Sequence, residues 1–153
     1  MKLLSLSTCI LLFVICSFST IDLVYAQSSE EPAIVTTQIL QTSTSWNNDK
    51  LHYPETESTE ITSLHYEFPP GSETPWHRHP VPVLAYILSG DLEVKAKDTG
   101  ETRIFRKGDA FAEVVNTWHS GKVLGNEPVK LIAFFLGESG IDLTELLSEF
   151  EED

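Results

Sequence analysis

Gly71-Ser-Glu-Thr-Pro-Trp-His77-Arg-His79-Pro80 is the stretch that decides the fold. In an extended strand, residues i and i+2 project to the same face, so His77 and His79 would stand together, about 6.6 Å apart along the chain. A third histidine follows forty residues after His79, in Asn116-Thr-Trp-His119. Two imidazoles from one strand and one from another, meeting inside a closed β-structure, form a grip for a divalent transition metal. The same three residues turned to solvent would carry no chemistry.

The surroundings read as strands. Ile61 to Phe68 alternates, with Leu64, Tyr66 and Phe68 on one face, and Pro69-Pro70-Gly71 turns the chain. Val83 to Leu88 reads as a buried strand closed by Ser89-Gly90. Leu92 to Lys97 alternates, Asp98-Thr99-Gly100 is a hairpin turn, and Thr102 to Phe105 returns before Lys107-Gly108-Asp109. Ala110 to Val115, His119 to Leu124 and Val129 to Leu136 complete the set. Turn signals at roughly 8–12-residue spacing, with no helical period, indicate an antiparallel sandwich or barrel over 61–140.

The flanks read differently. Residues 27–60 form an N-terminal arm and loop: Gln27 to Pro32 a frayed end, Ile34 to Thr42 an edge strand, Trp46 to Pro54 a loop whose Trp46 and Tyr53 pack on the domain. Over 141–153 a short C-terminal helix is predicted. Asp142 caps it, Glu145 completes a capping box, and Leu146, Leu147 and Phe150 form its apolar stripe, ahead of an acidic tail.

Residues 1–26 have the parts of a secretory signal peptide: Lys2, an apolar run from Leu3 to Phe18, and small-residue cleavage at Val24-Tyr25-Ala26. The apolar run is shorter than the ~20 residues a spanning helix needs. An uncleaved N-terminal anchor is the competing reading. Cleavage after Ala26 would leave one domain of 127 residues in the periplasm or outside the cell. Both cysteines, Cys9 and Cys16, lie in the leader, so the remaining chain has no disulfide, no thiolate ligand and no cysteine nucleophile. The net charge of −13 opposes binding to nucleic acid and to anionic membranes, so neither is expected as a partner once the leader is gone.

Taken together, Gly71-x5-His77-x-His79 with Gly90 downstream resembles the first motif of the cupin superfamily, and Gly108-Asp109 followed by His119 resembles the second. The likeness spans about Ile61 to Leu136. Thr74-Pro-Trp-His-Arg-His-Pro and Ala112-Glu-Val-Val-Asn-Thr-Trp-His are similar to stretches of small, exported, single-domain bacterial cupins of the type-2 kind. The resemblance implies an all-β double-stranded β-helix, a jelly-roll barrel with the histidines inside, and a homodimer as the default assembly. It implies a metal, with Fe, Mn, Ni, Cu and Zn as candidates, held by His77, His79 and His119.

Two departures matter. Cupins carry a glutamate ligand seven residues before the closing glycine of the first motif, where this chain has Val83. The second motif carries Pro and Gly where Val114 and Asn116 stand, and Asn where Val123 stands. Asn116 is a tolerable replacement, since asparagine accepts left-handed backbone angles. Glu113 is the candidate replacement for the lost ligand. In an alternating strand it shares an inward face with Phe111 and Val115, and a buried carboxylate needs a partner. A metal is one partner; Arg78, Arg103 or Arg106 at a strand edge is the other reading.

His65 and His52 read as surface or loop residues, and Trp76 and Trp118 as packing residues that point away from the ligands. Pro80 and Pro82 would hold the chain extended beside the pocket. Tyr86, Phe105, Phe111, Phe134 and Phe135 read as core or lining. Three functions follow from the resemblance. One is a metal-dependent, dioxygenase-like enzyme acting on a small anionic or phenolic substrate, with Glu113 as ligand or general base. Another is a non-catalytic barrel that captures a small molecule or a metal. The third is a metal-free isomerase- or epimerase-like barrel.

Overall fold

The computed structural model describes residues 33–149. The expected leader, the frayed start of the arm and the acidic end from Phe150 lie outside the described residues. The chain divides into a unit ending at Val35, whose described residues 33–35 have no regular structure, and a unit from Thr36 onward that holds every strand of the described residues.

Nine strands follow one another in the second unit: β1 (Thr59–Phe68), β2 (His77–Arg78), β3 (Val83–Ser89), β4 (Asp91–Ala96), β5 (Thr102–Arg106), β6 (Ala110–Ala112), β7 (His119–Leu124), β8 (Val129–Glu138) and β9 (Glu145–Leu146). They form a four-stranded sheet in the order β1-β8-β3-β6 and a five-stranded sheet in the order β5-β4-β7-β2-β9. Pairing between these strands is antiparallel throughout. This is the all-β, two-sheet architecture expected from the turn spacing.

Alternation along each strand sets what faces the interior. Val83, Ala85 and Ile87 of β3 point inward beside Leu131, Ala133 and Phe135 of β8, in the register Val83↔Phe135 and Ala85↔Ala133. Leu92, Val94 and Ala96 of β4 supply the facing wall. Tyr66 and Phe68 of β1 pack against this core with their rings stacked 5.6 Å apart. Two turn residues carry backbone constraints. Gly90 has φ +74°, and a Cβ there would lie 2.8 Å from the Pro128 carbonyl oxygen, so only glycine joins β3 to β4 at this closeness. Asn116, which stands where cupins carry glycine, has φ 54°, the left-handed angle asparagine tolerates.

Two expectations for the flanks fail. The predicted C-terminal helix is absent from the described residues. Glu145–Leu146 is strand β9, paired to β2 as His77↔Leu146 and Arg78↔Glu145, and only a 3-10 turn follows at Leu147–Glu149. Glu145, read from the sequence as half of a capping box, instead pairs its carboxylate with Arg78 Nε at 2.6 Å. The backbone N–H of Leu147 donates to Trp76 O at 2.9 Å, and Leu143 packs on the core. Barrel contacts of this kind override a short helical period, because an isolated helix of two or three turns has little stability of its own. The expected edge strand at Ile34 to Thr42 has no ladder partner among the described residues, and Ile39 is exposed. Its β-branched residues satisfy local propensity but pair with no strand among the described residues, although Ile39 lines a groove beside Ile104 and Phe105 of β5.

The next loop is ordered by its own bonds. Leu51 N–H donates to Ser43 O at 3.0 Å and Ser45 N–H to Asp49 O at 2.8 Å, while Trp46 N–H donates to Ala112 O at 2.9 Å. Trp46 is therefore buried against β6, as expected, whereas Tyr53 is exposed, contrary to the packing expected for it.

Candidate metal centre

His77 on β2 lies directly opposite His119 on β7 in the ladder. His79 falls just beyond β2, where a parallel bridge to Val115 and a bond from Asn116 N–H to His79 O (2.8 Å) fix it. The rings of His77 and His119 are 4.4 Å apart, and His79 is 5.1 Å from each. One nitrogen of each imidazole lies within 4.8 Å of the others. The three histidines singled out in the sequence therefore meet inside the barrel.

The other ring nitrogens show which atoms face inward. His77 Nδ1 contacts Pro75 O at 2.8 Å, His79 Nδ1 contacts Leu143 O at 2.9 Å, and His119 Nδ1 contacts Thr117 O at 2.8 Å. A carbonyl only accepts, so each Nδ1 carries the proton and each Nε2 keeps its lone pair. His119 Nε2 is buried and has no hydrogen-bond partner. A buried acceptor without a partner is costly. Three imidazoles with ring nitrogens within 4.8 Å of one another, each braced from behind by a backbone oxygen, match the donor set of a histidine metal site. Burial pushes all three histidines below their usual basicity, His79 to about 4 against the opposing pull of the Glu113 charge. Neutral imidazoles are the form a metal needs.

Glu113 is buried on the same wall. The register Leu84↔Ala112, continued by Glu113 N–H donating to Val83 O at 2.8 Å, sets Glu113 across from Val83. Cross-strand neighbours share a face, and both residues line the cavity. A carboxylate on the adjacent strand thus shares the cavity wall with Val83. Glu113 Oε2 lies 3.9 Å from His119 Nε2 and accepts a bond from Trp46 Nε1–H at 3.0 Å. Burial raises its pKa, while the neighbouring His79 and the Trp46 bond pull it down. The arginines are engaged elsewhere: Arg78 with Glu145, Arg106 with Asp91, and Arg103 with Trp46 O.

The histidines and Glu113 open onto a cavity of about 210 Å³. Its walls include Phe68, Val83, Leu92, Leu131, Phe135 and Leu146, with the hydroxyls of Thr74 and Thr144 near His77 and His79. Thr144 Oγ1 lies 3.2 Å from His79 Nδ1, and Thr74 Oγ1 accepts from Gly121 N–H at 2.8 Å.

The cupin-domain family model matches residues 64–135. The chain carries a cupin domain. Among solved structures, this cupin is similar to oxalate decarboxylase from Bacillus subtilis, with TM-score 0.52 and 23% identity over 61% of this chain and 25% of that one. It is similar to the formate complex of oxalate decarboxylase from Lactobacillus farciminis, with TM-score 0.51 and 19% identity over 65% of this chain and 34% of that one. It is also similar to a structure concerned with the Mn(II) centres of the Bacillus subtilis enzyme, with TM-score 0.50 and 19% identity over 67% and 34%. The cupin thus spans a quarter to a third of the length of these neighbours, and the likeness is one of fold. No curated protein matches the chain.

Other expectations divide. His52 and His65 are exposed, as read from the sequence. Trp76 and Trp118 are half-buried and carry Lys97 and Arg78 over their rings, at 5.9 and 4.7 Å. Phe135 lines the cavity, Phe105 and Phe111 stack at 3.6 Å in the core, and Phe134 is exposed on the outer face, contrary to its expected place. Pro80 and Pro82 line a separate groove beside Ile141. Sequence reasoning missed two contributors. Trp46 was assigned to packing, but its indole N–H binds a site carboxylate 67 residues away. Leu143 braces His79 through its carbonyl, an atom present in every residue and so invisible in sequence.

Proposed function

We propose that this chain is an exported cupin that holds one divalent transition metal through His77, His79 and His119, with Glu113 as fourth ligand, and acts on a small anionic molecule bound beside it. The observation that carries this reading is the buried, unpartnered Nε2 of His119, with the rings of His77 and His79 at 4.4 and 5.1 Å from its own and all three Nδ1–H groups tied to carbonyls. A divalent ion would supply Lewis acidity toward an oxygen of a chelating ligand. The chain's own groups do the rest. The carbonyls of Pro75, Leu143 and Thr117 fix the imidazole tautomers and orientations. Trp46 holds the Glu113 carboxylate in the cavity. The apolar walls keep water away and strengthen every electrostatic contact inside.

Dioxygenase-like turnover is the finer form of this reading, supported by the apolar, partly enclosed cavity and by the cupin fold. Export is supported by Lys2, the apolar run and the Ala26 cleavage pattern. Oxalate, named for the structural neighbours, is not carried over at identities below a quarter.

Elemental analysis of purified protein, residues 27–153, tests the centre beside His77→Ala, His119→Ala and Glu113→Gln. The expected result is about one metal per chain, lost in both histidine variants and bound at least ~10-fold more weakly in Glu113→Gln. Absence of metal from every preparation, with melting unchanged on adding Fe, Mn, Ni, Cu or Zn, would overturn the reading. Oxygen uptake across phenolic and diketone substrates then tests turnover; silence from metal-loaded protein would leave capture as the function.

A further inference from the structure

We infer that the cavity selects a chelating monoanion with a small apolar body and discriminates against dianions; this rests on the metal-centre reading above. Three observations carry it. The first is charge. Three neutral imidazoles add nothing to a divalent ion, and one buried carboxylate, Glu113, removes one unit, so the centre would present a single net positive charge. The bound ion, together with the Trp46 N–H that donates to Glu113 Oε2, would hold that carboxylate in its charged form against its burial. The second is the wall. Apart from the histidines and Glu113, the side chains around the cavity are uncharged, and most are hydrocarbon or aromatic: Phe68, Leu92, Leu131, Phe135 and Leu146 among them. The third is size. About 210 Å³ is below the ~300–1,000 Å³ of pockets that take drug-sized ligands.

These combine into a selection rule. A monoanion chelating through two oxygens neutralises the centre, and its hydrocarbon part meets apolar walls. A dianion brings a second charge into the same low-dielectric space, with no cationic side chain lining the cavity among the described residues. An uncompensated charge is strongly disfavoured there. Enolates of small 1,3-diketones and small hydroxamates have the required chemistry; oxalate and malonate do not.

Val83 sharpens the rule. A glutamate at that position, added to Glu113, would cancel the remaining positive charge and narrow the cavity. With valine there, the charge is available to the ligand and the wall stays apolar.

The test is ligand binding to cobalt-loaded protein, read from the visible Co(II) spectrum, with metal content measured first. Acetylacetonate, acetohydroxamate, oxalate and malonate are titrated into the protein and, in parallel, into free Co(II) in water. The protein should shift the preference for acetylacetonate over oxalate by roughly tenfold or more relative to the free ion. A second arm uses Glu113→Gln, which adds one unit of positive charge and should move the preference back toward oxalate. Cobalt retained with oxalate favoured as much as, or more than, in free solution would overturn the inference while leaving the centre standing. Failure to retain cobalt at all would overturn the metal centre itself, and the inference with it.

Discussion

Burial of three imidazoles in one cluster has a consequence at the scale of the residue. Each loses basicity to desolvation, and His79 is pushed to about 4 from the 6.5 of a free histidine. The folded state therefore binds fewer protons than the unfolded chain between these values. Stability from this source is fully present above about 6.5 and lost as pH falls toward 4, worth on the order of 3 kcal/mol for His79 alone. Glu113 acts in the opposite sense, since its raised pKa contributes stability on the acid side. With that opposing acid removed in Glu113→Gln, metal-free protein should melt progressively lower from pH 7 to pH 5. A melting temperature that is flat or rising over that interval would contradict neutral, inward histidines. The histidine cluster was legible in the sequence because two motifs agreed in spacing and lay in a strand pattern. Glu113 was legible for a different reason: an acid between Phe111 and Val115 sits where only apolar residues belong without a partner. The indole of Trp46 was not legible, since nothing local in Ser45-Trp-Asn says which carboxylate it will meet.

At the scale of the element, the strands were readable and the chain ends were not. Alternation and turn residues mark β3, β4 and β8 because each has one buried face, and β1 because Tyr66 and Phe68 are half-buried between exposed neighbours. Residues 141–149 carry a helix-like spacing of Asp142, Glu145, Leu146 and Leu147, yet the available hydrogen-bonding edge of β2 captures them as β9. That choice has a functional side. The segment brings Leu143 O to His79 Nδ1 and places Thr144 and Leu146 on the cavity wall. Removing residues from Ile141 onward should leave the two-sheet core folded but release His79 from its brace. The expected outcome is metal affinity lower by about 10- to 100-fold, with far-ultraviolet circular dichroism retaining the β signature. Metal competition with a chromophoric chelator would measure it. Undiminished affinity in the truncated protein would show that β9 is only a cover.

At the scale of the whole molecule, the candidate ligands come from different parts of the barrel. His77 and His119 belong to the five-stranded sheet, while Glu113 follows β6 at the edge of the four-stranded one. An ion held by all four would join the two sheets. Both cysteines precede Ala26, so the described residues offer no disulfide to do the same. Metal binding is therefore coupled to the stability of the entire fold rather than to one loop, because the unfolded chain has no preformed site. Free metal at about 100 times its Kd should stabilise the protein by about 2.7 kcal/mol, raising the melting temperature by on the order of 10 °C for a domain of this size. Calorimetry at fixed pH above 7, where the histidines are neutral in both states, isolates this from the proton effect. His77→Ala should abolish the rise. Glu113→Gln should keep the part that comes from the three histidines and lose the part that comes from joining the sheets. Equal rises in the wild type and Glu113→Gln would mean that Glu113 is not a ligand, and its place beside His119 would then be that of a proton-transfer group.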